Sequence, residues 1–289
     1  MTPLKVAATQ MACGFDRQAN LSAAEDLVRQ AADQGAKIIL LQELFETVYF
    51  CQVQQPDFLN LATPLEENAA VRRFSRLAAE LEVVLPISFF EKSGQVFFNS
   101  LAVVDADGSI LGIYRKTHIP DGPGYEEKFY FSPGDTGFRV WQTRFATIGV
   151  GICWDQWFPE AARIMALMGA ELLLYPTAIG SEPLDPDYDS QPHWQTCMQG
   201  HSAANMLPVM AANRIGTEEI DQSALTFYGA SFITDNKGTL LAQGDRQSAG
   251  VVTADLDLGA YAAERAAWGL FRDRRPAMYR TIATLDGTS

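Results

Sequence analysis

The chain has 289 residues, 47% of them apolar and 20% charged, enough to bury one large core or two small ones. With 22 Lys and Arg against 35 Asp and Glu the formal net charge is −13, which argues against a nucleic-acid partner, because phosphate binding needs basic stripes, and suits a cationic small molecule. Cys13, Cys51, Cys153 and Cys197 are scattered with no CxxC pair, so neither a metal site nor a disulfide framework is expected. The first residues lack the apolar core of a signal peptide, and no apolar stretch is long enough to span a bilayer. A soluble, cytoplasmic protein with no membrane contact is the expectation.

Leu4–Gln10 reads as a first strand. Leu21, Ala24, Leu27, Val28 and Ala31 recur at helical spacing, which predicts a helix over Asn20–Gln34 that stops at Gly35. Lys37–Leu41 reads as a buried strand running into Gln42-Glu43. A second helix follows over Glu66–Leu81. Val83–Phe90, Val96–Asp105 and Ser109–Tyr114 then alternate as antiparallel strands, with turns at Lys92-Ser93-Gly94 and Ala106-Asp107-Gly108. The last of these delivers Arg115-Lys116. Thr117–Thr136 is a long loop rich in Gly, Pro and aromatics, the kind that is functional when ordered.

Val140–Cys153 carries strand signals and ends in Ile148-Gly149-Val150-Gly151-Ile152-Cys153, then turns through Trp154-Asp155-Gln156-Trp157 to Pro159. A helix over Glu160–Met168 ends at Gly169, and Leu172–Tyr175 forms another strand. Further on, His193–Met206 and Leu258–Ala267 read as helices, and Val209–Asn213, Thr226–Thr234, Thr239–Ala242 and Gly250–Asp255 as strands. No linker or repeat interrupts this alternation. A single α/β domain over 1–289 with mixed sheets covered by helices is expected, with a basic, aromatic tail from about 268 that packs on a partner subunit or on the chain's own surface.

Three chemically capable residues stand at strand ends: Glu43, Lys116 and Cys153. Taken singly, Glu43 reads as a solvated loop carboxylate and Cys153 as an inert buried thiol. Together they make a nucleophile with its helpers. A thiol needs a base, and a carboxylate supplies one; a lysine stabilises the thiolate and then the oxyanion of a tetrahedral intermediate. The N–H of Trp154, next after the cysteine, is the natural second oxyanion donor.

The stretches Arg115–Lys128, Ile148–Ala161, Tyr175–Pro183, Met198–Ala203 and Phe271–Pro276 carry a resemblance to the nitrilase (carbon–nitrogen hydrolase) superfamily that extends over roughly Leu4–Tyr279. The resemblance implies a four-layer αββα sandwich, protomers associated as dimers or larger assemblies, and no metal or organic cofactor. It also implies roles: Glu43 as general base, Lys116 as oxyanion stabiliser, Cys153 as nucleophile, and Glu127 as a second active-site glutamate supporting the lysine. His118 and His201 are then structural or pocket-lining, and His193 is a surface residue.

The superfamily cleaves nitriles, amides and carbamoyl groups, so the substrate is a separate question. Relatives that act on N-carbamoyl amino acids carry an arginine three positions after the cysteine, where this chain has Gln156. That departure counts against a substrate carboxylate. Glu182 resembles a partner for a distal ammonium, and Tyr49, Trp154 and Trp157 are candidates to line an apolar channel. The resemblance so implies hydrolysis of N-carbamoylputrescine to putrescine, ammonia and carbon dioxide through a thioester, a step in making polyamines from agmatine. The alternatives are an amidase or nitrilase for another small substrate, or an inactive member serving as a binding protein.

Overall fold

Alternation along each strand sorts the side chains into layers. A computed structural model of the chain describes residues 3–288. In β1 (Leu4–Gln10) and β2 (Ile38–Leu40), Val6, Ala8, Ile38 and Leu40 enter one core cluster while Ala7 and Ile39 enter another. The same division recurs in β8 (Leu172–Pro176) and β9 (Val209–Ala212): Leu172, Leu174, Met210 and Ala212 face inward, and Leu173, Val209 and Ala211 face outward. Both faces of these strands are therefore buried, as parallel strands require.

The first sheet begins as β14-β1-β2, with β14 (Gly250–Leu256) antiparallel and β2 parallel to β1. A parallel bridge between Ile38 and Val84 continues it into β3 (Leu85–Ser93), β4 (Val96–Val104) and β5 (Ile110–Arg115). The second sheet has the order β13-β12-β9-β8-β7-β6, where β6 is Val140–Gln142, β7 Thr147–Val150, β12 Phe232–Thr234 and β13 Leu240–Gln243. One apolar cluster fills the space between the two sheets.

Helices α1 (Arg17–Asp33) and α2 (Ala69–Leu81) cover the outer face of the first sheet, burying Leu27, Val28, Phe74 and Leu77. Helices α3 (Pro159–Leu167) and α4 (Gln191–Asn205) cover the second, burying Ala162, Met165, Trp194 and Met198. The layers run helix, sheet, sheet, helix, the αββα sandwich expected. Each fully buried Leu, Val or Phe contributes about 1.5–3 kcal/mol relative to exposure. Gly149 in β7 is needed for this packing: a Cβ there would lie 2.8 Å from Leu173 Cδ2 and 2.9 Å from Met165 Sδ.

Several boundaries differ from the sequence reading. Helix α1 starts at Arg17 because Asp16 caps it, its carboxylate accepting from the N–H groups of Gln18 and Ala19. Thr226–Thr234 is not one strand. Gly229 and Ala230 both take positive φ, 56° and 54°, and break it. The first part, β11 (Ser223–Tyr228), pairs with β10 (Ile215–Ile220) in a separate hairpin, and β12 joins the second sheet. Strand β10 escaped the sequence reading because Glu218 and Glu219 obscure its alternation. The last helix, α5 (Leu258–Trp268), ends at Gly269. Beyond it the tail forms only short 3-10 turns, and Trp268 at the helix end is largely exposed, as are Met278 and Ile282 in the tail.

Candidate active site

The residues singled out at strand ends come together at one end of the sandwich. Glu43 follows β2, Lys116 follows β5, and Cys153 follows β7. The two sheets meet here, where the N–H of Glu43 donates to the Thr177 carbonyl just past β8 (3.3 Å); within the first sheet the N–H of Lys116 donates to the Asn99 carbonyl in β4 (2.9 Å).

Lys116 is fully buried, and its Nζ donates to Glu43 Oε1 at 2.9 Å and to Glu127 Oε2 at 2.7 Å. Both carboxylates are also fully buried. Asn99 Nδ2 gives Glu43 Oε1 a second bond at 2.7 Å, and Tyr49 Oη donates to Glu127 Oε1 at 2.7 Å. Among the described residues Glu43 Oε2 has no partner. An ammonium has three N–H donors, so two are held by carboxylates and one remains for a third acceptor.

Electrostatics follow from this packing. Burial alone depresses a lysine, but Glu127, Glu43 and Cys153 outweigh it and hold the Lys116 ammonium well above its ordinary range. Burial pushes the Cys153 thiol well up, Glu43 adds to that, and Lys116 opposes it. Glu127 is pushed up to about 7 by burial, against the pull of Lys116 and with a further push from Glu43. The resting site therefore holds a charged lysine and a neutral thiol.

Cys153 has φ 40°, in the left-handed region that a non-glycine residue rarely takes. It opens a 3-10 turn, Cys153–Trp157. Asp155 fixes this turn. Its Oδ2 accepts from Ile152 N (2.9 Å) and Tyr114 Oη (2.7 Å), and its Oδ1 lies 3.0 Å from His118 N and 2.8 Å from His118 Nδ1. One buried carboxylate thus ties the cysteine turn to the segment carrying Lys116. The role of Asp155 is not legible in the sequence, because its ties to Tyr114 and His118 are long-range.

Above Cys153 and Glu127 opens a cavity of about 460 Å³, a size typical of small-ligand sites. Trp154, Trp157 and Ile179 supply apolar wall, and Asp121, Glu182 and Asp185 supply carboxylates. No Lys or Arg is among the described residues of the wall; the one basic side chain is His193. Tyr125, also unforeseen, lines the cavity and locks its rim: its hydroxyl accepts from Gly180 N and donates to the Ser181 carbonyl, both at 3.1 Å.

Three placements differ from expectation. Tyr49 does not line the cavity; it is fully buried behind the floor, with its hydroxyl on Glu127. His193 is exposed but stands at the cavity mouth, its ring 4.8 Å from that of Trp157. Gln156 points away from the cavity, its Oε1 accepting from Trp194 Nε1 (2.7 Å) and Thr177 Oγ1 (3.2 Å). The absence of cations from the cavity wall is thus a more direct statement about the ligand than the residue at position 156. His118 and His201 are structural: the first pairs with Asp155 and stacks on Phe158 at 3.5 Å, and the second has Nε2 2.6 Å from the Gln156 carbonyl. Among the described residues no group of three or more His, Cys, Asp or Glu is placed to hold a metal ion, and no helix is long and apolar enough to cross a membrane.

The αββα sandwich agrees with the comparisons to known proteins. The family model described as carbon–nitrogen hydrolase matches residues 5–266, and the chain belongs to that family; it is an amidohydrolase. It is 56% identical over 286 residues to an N-carbamoylputrescine amidase of Arabidopsis thaliana, covering 98% of this chain and 96% of that protein. It is 54% identical over 282 residues to a citrullinase of Francisella tularensis, covering 98% and 99%. Among solved structures, a carbon–nitrogen hydrolase from Helicobacter pylori G27 superposes with a TM-score of 0.92 at 39% identity, covering 98% of this chain and 99% of the other.

Proposed function

We propose that this enzyme hydrolyses N-carbamoylputrescine to putrescine, ammonia and carbon dioxide. The observation that carries the reading is the cavity wall: three carboxylates and apolar surface above the cysteine, with no Lys or Arg among its described residues. A carbamoyl amine with an ammonium tail fits that wall, and a tail ending in a carboxylate meets like charge. The relatives that act on N-carbamoylputrescine and on citrulline share the terminal ureido group, and the two substrates differ by a carboxylate at the distal end.

In the proposed reaction Cys153 Sγ attacks the ureido carbon while Glu43, through its unpartnered oxygen, accepts the thiol proton. Because the resting thiol is neutral, proton transfer accompanies attack. The third N–H of Lys116 and the N–H of Trp154 hold the oxyanion. Glu43 returns its proton to the departing nitrogen. The S-carbamoyl thioester left on Cys153 still carries the second nitrogen; water, deprotonated by Glu43, hydrolyses it to a carbamic acid, which breaks down to carbon dioxide and the second amine, so one water is consumed per carbamoyl group. Glu127 keeps Lys116 charged and oriented. Trp154 and Trp157 flank the carbon chain, and Glu182 receives the distal ammonium.

An ammonia-release assay run side by side on N-carbamoylputrescine, citrulline, N-carbamoyl-β-alanine, a simple amide and a nitrile tests the reading. The expected result is a clear preference for the first. Faster release from citrulline or from the nitrile would replace this assignment. We also propose that the chain is one domain whose apolar tail residues Trp268, Met278 and Ile282 are covered by a second copy. Light scattering is expected to give a homo-oligomer that dissociates when the tail from 268 is removed; an unchanged mass would refute it.

A further inference from the structure

Glu43 sits on a turn that the backbone does not favour. Leu44, the next residue, has φ 48°. Its N–H is taken by Ser88 Oγ at 3.0 Å, and the carbonyls on either side of it turn toward a single buried cation, Arg214, which follows β9 and has no exposed surface. Arg214 Nε and Nη2 both donate to the Glu43 carbonyl (3.3 and 3.0 Å). Nη2 donates also to the Leu44 carbonyl (2.6 Å), and Nη1 to the Thr47 carbonyl (3.0 Å) and to Glu218 Oε1 (2.8 Å). Each of the five guanidinium N–H donors is thereby used. Glu218, buried on β10, takes the backbone N–H of Tyr49 on its other oxygen, and the Tyr49 hydroxyl holds Glu127.

We infer that Arg214 and Glu218 are positioning residues that set both carboxylates around Lys116, Glu43 through its own carbonyl and Glu127 through Tyr49. Neither lines the cavity. Their geometry is not generic core filling: the arginine is spent on the carbonyls of the strained turn that bears Glu43, and the pair holds both ends of the 43–49 segment, from which the Glu43 carboxylate reaches Lys116 and the Tyr49 hydroxyl reaches Glu127. The planar guanidinium is required, because a lysine offers three donors from one point and cannot reach Glu43, Leu44, Thr47 and Glu218 together. Displacement of the Glu43 carboxylate by about 1 Å is enough to cost about 100-fold in rate.

The inference rests on the reading of Glu43 as the base for Cys153, and its test is independent of the substrate. The rate at which iodoacetamide alkylates Cys153 in the full chain, followed at that cysteine by peptide mass analysis, reports how readily the thiol proton is removed. E43Q sets the rate without the base. Both R214K and E218Q are expected to slow alkylation by about 10- to 100-fold, toward the E43Q rate. E218Q leaves the arginine in place, so it carries the test if R214K does not fold. A merely structural pair would lower the melting temperature of E218Q and leave the alkylation rate at the wild-type value, and that result would overturn the inference. If E43Q itself reacts as fast as wild type, the base assignment and the clamp both fall. If wild type does not act on N-carbamoylputrescine but the alkylation rates follow expectation, the substrate reading fails alone.

Discussion

Two sets of carboxylates lie at opposite ends of one cavity; of the buried set, Glu127 lines it and Glu43 does not. At the floor, Glu43 and Glu127 are fully buried and share Lys116 at 2.9 and 2.7 Å. At the mouth, Glu182 is half-buried, Asp121 and Asp185 are exposed, and none of the three makes an ion pair among the described residues. The floor has little freedom to bind a solvated cation, because both carboxylates are fully buried and already share the Lys116 ammonium. The mouth is the reverse: unpaired charge on loops, ready to exchange water for an ammonium. In the proposed reaction the same residue type serves chemistry at one end and selection at the other, and the difference lies in burial and in what each oxygen already touches.

Breaking the floor gives the largest effect. C153A is expected to lower ammonia release by at least about 10⁴-fold with an unchanged far-ultraviolet spectrum, since no other group can form the thioester. Substantial turnover in that variant would remove the cysteine from the mechanism.

The tie beneath the floor comes next. In D155N the amide nitrogen faces donors where a carboxylate oxygen accepted them, from Ile152, Tyr114 and His118. A loss of about 2–3 kcal/mol in denaturant unfolding is expected, with slower turnover by the folded fraction. Unaltered stability would show that the turn holds without Asp155.

A smaller effect separates the two sets by pH. Glu127 must be ionised to hold Lys116, and burial pushes it up to about 7, so kcat is expected to rise with pH through that region. The direction follows from the raised value: the proton that an ordinary carboxylate sheds near pH 4 stays on Glu127 until near neutrality. E127Q is expected to be slower and to lose this acidic limb. An identical limb in E127Q would assign it to another group.

Much of the sandwich is legible in the sequence because buried strands and amphipathic helices leave periodic traces. Leu21 to Ala31 give α1, and the apolar run ending at Cys153 gives β7. The break at Gly229-Ala230 and the strand hidden by Glu218-Glu219 are not legible, because local pattern there opposes the tertiary pairing that wins. Within the site, Glu43, Lys116 and Cys153 stand out as capable residues at strand ends, whereas Asp155, Tyr125 and Arg214 act through partners tens of residues away. The direction of a side chain is the other blind spot. Tyr49 and Gln156 sit in irregular backbone, a 3-10 N-terminus and a 3-10 turn, where no periodicity says which way the residue points.

The division between floor and mouth is tested most directly by one comparison: kcat/KM for N-carbamoylputrescine and for N-butylurea, its neutral counterpart, in wild type and in E182Q. Wild type is expected to prefer the cationic substrate by about tenfold or more, roughly 1.4 kcal/mol. E182Q is expected to lose most of this preference while its kcat for N-butylurea is unchanged. Equal loss on both substrates, or no wild-type preference for the cation, would contradict that division.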